Sequence, residues 1–491
     1  MSEPPAADPP GDPLEWPPER ARDLAVRLLD YVDRFAATMA ALPVVPAPDP
    51  GPGAGREGGT DPLGEPPARG LADADLLAFV DRLFRGSTLV AHPRFLAYIT
   101  GSGTRADALA AFLAATLNQN VGGATTAPLA TEVELRLTAW LARAFGLPTA
   151  TAGGLMQPGG ALANLTALKA ARDRAGLACR TAGVRGAQLT VYASEECHAS
   201  IDRAVDVLGL GMESLRKIPT DGGYALRSDL LAAAIERDLA RGLRPMAVVA
   251  TAGTTSTGSI DPLPACADLC RRHALWLHVD AAYGGAAILA PDLRPRLAGI
   301  ERADSITFDP HKWLYVSLPA SCVLFRSLDL AARSFAVDGT YLAEDGEPVE
   351  LCDYGPAWSR SFDALKVWFA LLAYGTDAFA ERIARDAAMV SRLAERLAAR
   401  PDFELLAPVT LSICCFRYAP PGSSPESRDP LNRAIFTALR ADGRFFLSGA
   451  ELRAGFALRV CVVNHRTMPA DLEALVDLVA ELGGRLASGP G

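Results

Sequence analysis

The sequence predicts an α/β protein: a large domain on a mainly parallel sheet, a smaller α+β domain at the C-terminus and a helical arm at the N-terminus. Two patterns and one size argument carry that expectation. Between Gly154 and Phe325 short apolar runs alternate with amphipathic stretches, as strands joined by crossover helices do. After Pro401 the regular alternation gives way to a mixture of fewer strands and helices. A chain of 491 residues is also too long for one simple core, so two or three domains are expected.

Composition narrows the class further. Hydrophobic residues make up 49% of the chain, yet no apolar run reaches membrane-spanning length, which points to a globular protein. A net charge of -9 argues against nucleic acid as a partner. The nine cysteines follow no framework spacing, so reduced thiols in a cytoplasm are expected. Cys266 and Cys270 stand one helical turn apart and Cys414 and Cys415 are adjacent, but neither pair has the further ligands of a zinc site. No metal is expected.

In chain order, Met1 to Pro18 is rich in proline and acid and lacks a basic-then-apolar signal pattern, so it reads as a disordered leader. Arg20 to Leu42 has helical spacing and Pro43 stops it. Residues 44–70 are dominated by proline and glycine and read as a linker, after which Leu71 to Leu83 is helical again. Leader and arm together take residues 1–90. The large domain, 91–370, opens on an irregular loop, His92 to Gly103, and a helix from Asp107 to Asn118. Thr131 to Phe145 is the next helix, with Thr131 as N-cap and Glu134 closing a capping box. Strands are expected at Gly154–Gln157, Leu189–Tyr192, Met246–Ala250, Leu275–Asp280, Ser305–Phe308 and Cys322–Phe325. Helices at Leu162–Ala175, Ile201–Leu208, Arg227–Arg241 and Pro264–His273 separate them. One helix runs from Ala364 toward Tyr374 and a second from Phe379 to Ala399. The small domain, 371–491, adds strands at Leu411–Arg417, Arg444–Ser448 and Leu458–Val463 and helices near Leu431–Leu439 and Leu472–Leu486.

The chemistry centres on Ser305 to Val316, an apolar and aromatic run holding Lys312. Only four of the 48 basic residues are lysine, so this chain ordinarily meets its need for positive charge with arginine. A lysine here asks for a reason. One is that a desolvated amine loses its proton more readily and can form a Schiff base, which a guanidinium cannot do. The other is a lysine that snorkels from a strand end. Upstream, Leu275 to Asp280 reads as a buried strand delivering a carboxylate to its C-terminal end, where open α/β sheets place their sites. Between Asp280 and Lys312 there is room for one crossover helix, so adjacent strand ends can present both to one ligand. A lysine for an aldehyde and an acid for a pyridine nitrogen are what a pyridoxal phosphate site needs. Gln157-Pro-Gly-Gly-Ala161 is a glycine-containing turn into a helix whose free N–H groups suit a phosphate.

With these residues in hand, the chain resembles the group II pyridoxal phosphate-dependent amino acid decarboxylases, the family of aromatic-L-amino-acid decarboxylase. The similarity runs from Arg20 to the C-terminal helix. Its most specific pieces are His278-Val-Asp-Ala-Ala-Tyr283 and Phe308-Asp-Pro-His-Lys-Trp-Leu314, supported by Tyr192 to Ser200 and Thr251-Ala-Gly-Thr-Thr255. The resemblance implies the PLP-dependent transferase fold (fold type I), pyridoxal 5'-phosphate as cofactor, an amino acid as substrate and a homodimer with Arg20–Leu42 as exchanged arm. It makes Lys312 the Schiff-base lysine and Asp280 the partner of the ring nitrogen. His198 would stack on the ring and Ala282 would pack against it, with Gly160 and Ala161 offering backbone N–H groups to the phosphate. Thr255, Asp309 and His311 would lie close to the cofactor, the last two near its phosphate. Tyr341, within an acidic lid from Val337 to Pro348, would return the proton to Cα.

The expected reaction is decarboxylation of an L-amino acid, aromatic ones among the candidates, to the amine and carbon dioxide. Alternatives are an oxidative aldehyde synthase on the same substrates and an inert cofactor-binding protein. Three departures from the family pattern bear on this choice. Ala161-Leu162 stand where a hydroxyl residue and a glutamate are usual, Asp309 stands where asparagine is common, and Ile99 replaces an aromatic pocket residue. A further phenylalanine position falls on or near Gly122, which leaves Tyr98 as the expected aromatic wall.

Overall fold

The computed structural model describes residues 14–46, 65–175, 178–184, 186–337 and 349–488. Seven strands build the large sheet: β1 (Gly153–Gln157), β2 (Leu189–Ser194), β3 (Leu215–Ile218), β4 (Arg244–Thr251), β5 (Trp276–Asp280), β6 (Ser305–Phe308) and β7 (Ser321–Phe325). Their spatial order is β1-β7-β6-β5-β4-β2-β3. The pairs from β6 to β3 are parallel, and β7 runs antiparallel to both of its neighbours.

Helices cover both faces, which is why the central strands β2, β5 and β6 are buried at every position, their few polar side chains included. Alternate residues of β4 show the two-sided burial: Val248 and Ala250 join one core cluster, Ala247 and Val249 the other. The first cluster includes Leu137 and Leu141 of the helix Pro128–Ala144 and Cys266 of Leu263–His273. The second takes Ala163, Ala167 and Ala171 of Gly160–Arg174, where small side chains let the helix lie close to the sheet.

A second sheet of β8 (Phe403–Leu405), β9 (Ile413–Tyr418), β10 (Ser448–Leu452) and β11 (Gly455–Cys461) is antiparallel, in the order β10-β11-β9-β8. Its apolar cluster gathers Phe416, Leu458 and Val460 with Leu475 and Val479 of the helix Pro469–Ala487. The helical stretch Ala364–Ala398 is interrupted at Gly375 (φ 75, ψ 157), so two helices stand where two were expected.

Several expectations need correction. β3 and β8 are short edge strands whose mixed composition hid them. The run 444–448 is irregular apart from Ser448, and the strand begins there because Phe446 instead bridges to Phe95. The connection from β5 to β6 is made by 3-10 turns at Gly284–Leu289, Arg294–Leu297 and Ile300–Arg302, not by an α-helix. Thr131 does not cap its helix, which starts a turn earlier at Pro128. Glu134 is fully buried, accepts from Met156 N at 2.8 Å and pairs with the buried guanidinium of Arg360. A capping box does occur one helix earlier, between Thr104 and Asp107.

At the N-terminus the helix Pro18–Thr38 packs on Asp73–Arg85 through Tyr31 and Phe35 against Phe84, with ring centroids 5.4 and 5.1 Å apart. Val26, Leu29 and Val32 remain exposed on its outer face.

Candidate active site

The parallel strands all point their C-terminal ends to one side, and the loops leaving β1, β2, β4, β5 and β6 meet there around a cavity of about 300 Å³. Gly160, Ala161, His198, Thr255, Asp280, Ala282, Asp309, His311 and Lys312 all line it. Asp280 is the last residue of β5, and Lys312 follows the neighbouring strand β6 by four residues.

Behind Asp280 runs a chain of hydrogen bonds whose directions follow from donor chemistry. Trp276 Nε1 donates to Ser305 Oγ at 2.8 Å, and that hydroxyl lies 2.8 Å from His278 Nδ1. Burial pushes His278 down to about 4, further than the nearby Asp280 raises it, and the imidazole is therefore neutral at physiological pH. Its proton sits on Nε2 and is donated to Asn164 Oδ1 at 2.9 Å. The Asn164 amide, fixed in this way, donates to Asp280 Oδ2 at 2.9 Å and to Ser200 Oγ at 3.0 Å. Ser200 in turn offers both its hydroxyl (2.9 Å) and its backbone N–H (3.1 Å) to His198 Nδ1. Two donors on Nδ1 leave Nε2 as the nitrogen of His198 that carries the proton. Asp280 Oδ1 accepts from Ala282 N at 3.1 Å, which holds the carboxylate at the cavity edge.

On the other side, Lys312 Nζ lies 3.0 Å from Asp309 Oδ2, and Asp309 Oδ1 accepts from the Ser321 hydroxyl. Burial lowers the affinity of Lys312 for its proton, but Asp309 and then Asp280 raise it by more, and the net displacement is above the ordinary lysine value. The expectation of an amine loosened by desolvation is thus reversed by its two acidic neighbours. Burial keeps His311 below the ordinary histidine value; its Nδ1 accepts from Ala320 N at 3.2 Å, and Nε2 lies 3.6 Å from Asp309 Oδ2. The negative charge at position 309 is offset by Lys312 and a hydroxyl more than by His311.

Gly159 caps the helix Gly160–Arg174, so the amides of Gly160 and Ala161 belong to its first turn, where the helix provides no acceptor. A Cβ at Gly160 would lie 2.7 Å from Asp309 Oδ2, which excludes larger residues there. The loop 92–103 closes the cavity from above: Gly101 N donates to His311 O at 2.9 Å, and a Cβ on Gly101 would lie 2.5 Å from Lys312 O and 2.6 Å from His311 O. Ile99 of that loop lines the cavity. An amine, a braced carboxylate, an imidazole, a small methyl wall and a helix N-terminus around this volume fit a pyridoxal phosphate, and Ala161-Leu162 leave the backbone donors of the turn in place.

Tyr98 is not a cavity wall. It has φ 52, is 58% exposed and lies against Phe446 instead. Gly122 is likewise outside the lining, packed on Trp358 O. Tyr341 falls outside the described residues. Sequence reasoning passed over Asn164 and Ser200; the signal was an asparagine on the buried, alanine-rich face of its helix, where only a partnered polar group is tolerated.

Comparison with known proteins agrees with this geometry. The family model described as pyridoxal-dependent decarboxylase conserved domain matches residues 79–419. An aromatic-L-amino-acid decarboxylase of Bacillus atrophaeus is 34% identical over 412 residues, covering 83% of this chain and 84% of the relative. A 4-hydroxyphenylacetaldehyde synthase of Rhodiola rosea is 29% identical, with 94% of each chain covered. The crystal structure of Catharanthus roseus tryptophan decarboxylase in complex with L-tryptophan superposes with a TM-score of 0.87 at 27% identity, covering 96% of this chain and 99% of that one.

Proposed function

Since the chain belongs to the pyridoxal-dependent decarboxylase family and is a pyridoxal phosphate-dependent carboxy-lyase of amino acids, we propose that it converts an aromatic L-amino acid to the corresponding amine and carbon dioxide. The observation that carries the reading is the convergence of Lys312 and Asp280 on one cavity from adjacent strand ends. An aromatic substrate is supported by the lining: among the described residues it holds Ile99, Ala282 and Tyr283 and no arginine to receive a second carboxylate.

Bound pyridoxal phosphate supplies an electron sink for the pair released when the bond from Cα to the carboxylate breaks. Lys312 would hold the cofactor's aldehyde carbon through Nζ. Asp280, braced by Asn164 and Ala282, keeps a proton on the pyridine nitrogen. The amides of Gly160 and Ala161 receive the phosphate. His198, whose Nε2 carries the proton, would orient the substrate carboxylate, and Ala282 would pack against the cofactor ring. Thr255, Asp309 and His311 complete the wall. Tyr341 returns the proton to Cα, which makes the amine the product. The second reading, an aldehyde synthase, is favoured by the similarity to the Rhodiola rosea enzyme.

The reading includes a homodimer. The exposed apolar residues Val26, Leu29 and Val32 of the arm, and Leu109, Phe112 and Leu113 of the helix Arg105–Leu117, support it, since such faces are normally covered. It also includes a cytoplasmic location, supported by nine free cysteines; no described helix is long and apolar enough to cross a membrane. Carbon dioxide release from a panel of amino acids tests the substrate class. Turnover of tryptophan, tyrosine or phenylalanine is expected, and turnover of glutamate or cysteine sulfinate alone would overturn it.

A further inference from the structure

A larger cavity of about 530 Å³ lies on the far side of the lysine-bearing turn, where neither the sheet nor the chemistry described above uses it. Its wall is unusual in charge. Arg105, Arg382, Arg385 and Arg466 face it, together with His465, while Tyr374 and Phe379 supply an apolar side. The acids in reach do not match these cations. Asp386 is 2.8 Å from Arg382 but also accepts from Tyr315 Oη at 2.7 Å and Trp313 Nε1 at 3.2 Å. Asp33, on the arm, pairs with Arg105. Among the described residues Arg385 and Arg466 have no carboxylate at ion-pairing distance: Arg385 meets the Met468 sulfur, and Arg466 donates weakly to Ser102 O and Gly103 O. Arg382 Nε is buried without an acceptor. Burial and then Arg105 push the Arg466 guanidinium below its ordinary value, and burial with Arg466 and Arg382 pushes His465 down to about 4; nearby Asp107 opposes both shifts without cancelling either. Charges that depress one another in this way are relieved by an anion.

We propose that this cavity binds an organic anion, a phosphate or carboxylate on an apolar body, with the acidic group on Arg385 and Arg466 and the body against Tyr374 and Phe379. Arginine suits the role because its fork matches the oxygens of either group. The volume falls within the range of small-molecule sites. The binding site is also connected to the reactive lysine. Arg382 and Tyr315 line the cavity and share Asp386 with Trp313, the residue next to Lys312.

The test is calorimetric titration of the holoenzyme, whose cofactor site is filled, with phenyl phosphate and with inorganic phosphate. One phenyl phosphate is expected per chain, bound more tightly than inorganic phosphate. Arg385→Glu, which breaks no ion pair, is expected to weaken it at least about tenfold. Arg143→Glu, a reversal at another exposed arginine, is expected to leave it unchanged. Absence of binding to the wild-type holoenzyme, as when a second copy covers the cavity, would overturn the proposal. So would equal binding by Arg385→Glu, and equal affinity for the two ligands would overturn its apolar half.

Discussion

Asn164 gives one amide hydrogen to Asp280, at 2.9 Å, and the other to Ser200, at 3.0 Å, so a single side chain braces the acid and sets the tautomer of His198 two bonds away. Neither acid nor imidazole is free to choose its own hydrogen bonding.

Asn164→Ala removes that brace. It leaves His278 Nε2–H buried without an acceptor, which costs about 1–3 kcal/mol. We expect a lowered denaturation midpoint, a larger fall in kcat than rise in KM, and loss of the single Nε2–H tautomer of His198 in nitrogen-15 spectra. A variant with wild-type kcat and an unchanged His198 spectrum removes Asn164 from the site.

Lys312→Ala is expected to abolish the visible-edge absorption of the lysine-bound cofactor and to reduce carbon dioxide release by at least about a thousandfold. Persistence of a borohydride-sensitive band in the variant would assign the attachment to another amine.

His278 sets an acid limit on stability. Its folded value of about 4 lies below the ordinary histidine value, so between those two pH values the unfolded chain binds more protons and stability rises with pH. The contribution is full above about 6.5 and is lost as pH falls toward 4, an effect of roughly 3 kcal/mol. Denaturation followed from pH 7 to 4 should show it, and His278→Gln should flatten that part of the profile. An equally steep profile in the variant would place the acid sensitivity elsewhere, His465 being the next candidate.

Arg360 is the counter-ion of Glu134, and both are buried. Arg360→Ala strands a carboxyl group that also holds Met156 N of β1, with an expected cost of about 3–5 kcal/mol in urea unfolding. Glu134 and Arg360 replaced together should recover part of that loss.

Tyr341→Phe tests the proton return. The variant should release aldehyde, peroxide and ammonia while consuming oxygen, at the expense of amine. An unchanged amine yield would take Tyr341 out of the reaction.

Much of this was legible in the sequence for a physical reason. β4 and β5 are buried on both faces, so Met246–Ala250 and Trp276–Val279 are largely apolar, and Asp280 stands out at the end of the second. The edge strand β3 carries no such signature: Leu-Arg-Lys-Ile has the composition of a loop. The supposed capping box at Thr131 and Glu134 matched the local pattern, but burial against Arg360 decided its use. Asn164 was hidden because its value lies in partners from β5 and from the start of the helix Ser200–Val207, and no local spacing encodes them. Tyr98 looked like a pocket aromatic until its left-handed backbone conformation turned the ring to Phe446.

The absence of a side chain at Gly101 has a consequence for remodelling the enzyme. The segment that carries Ile99 is seated so closely on the turn that carries the reactive amine that the two travel as one piece. Exchanging Ile99 for larger or smaller groups is therefore expected to reshape the cavity while the amine keeps its aim, whereas any residue bulkier than glycine at 101 is expected to disturb both at once.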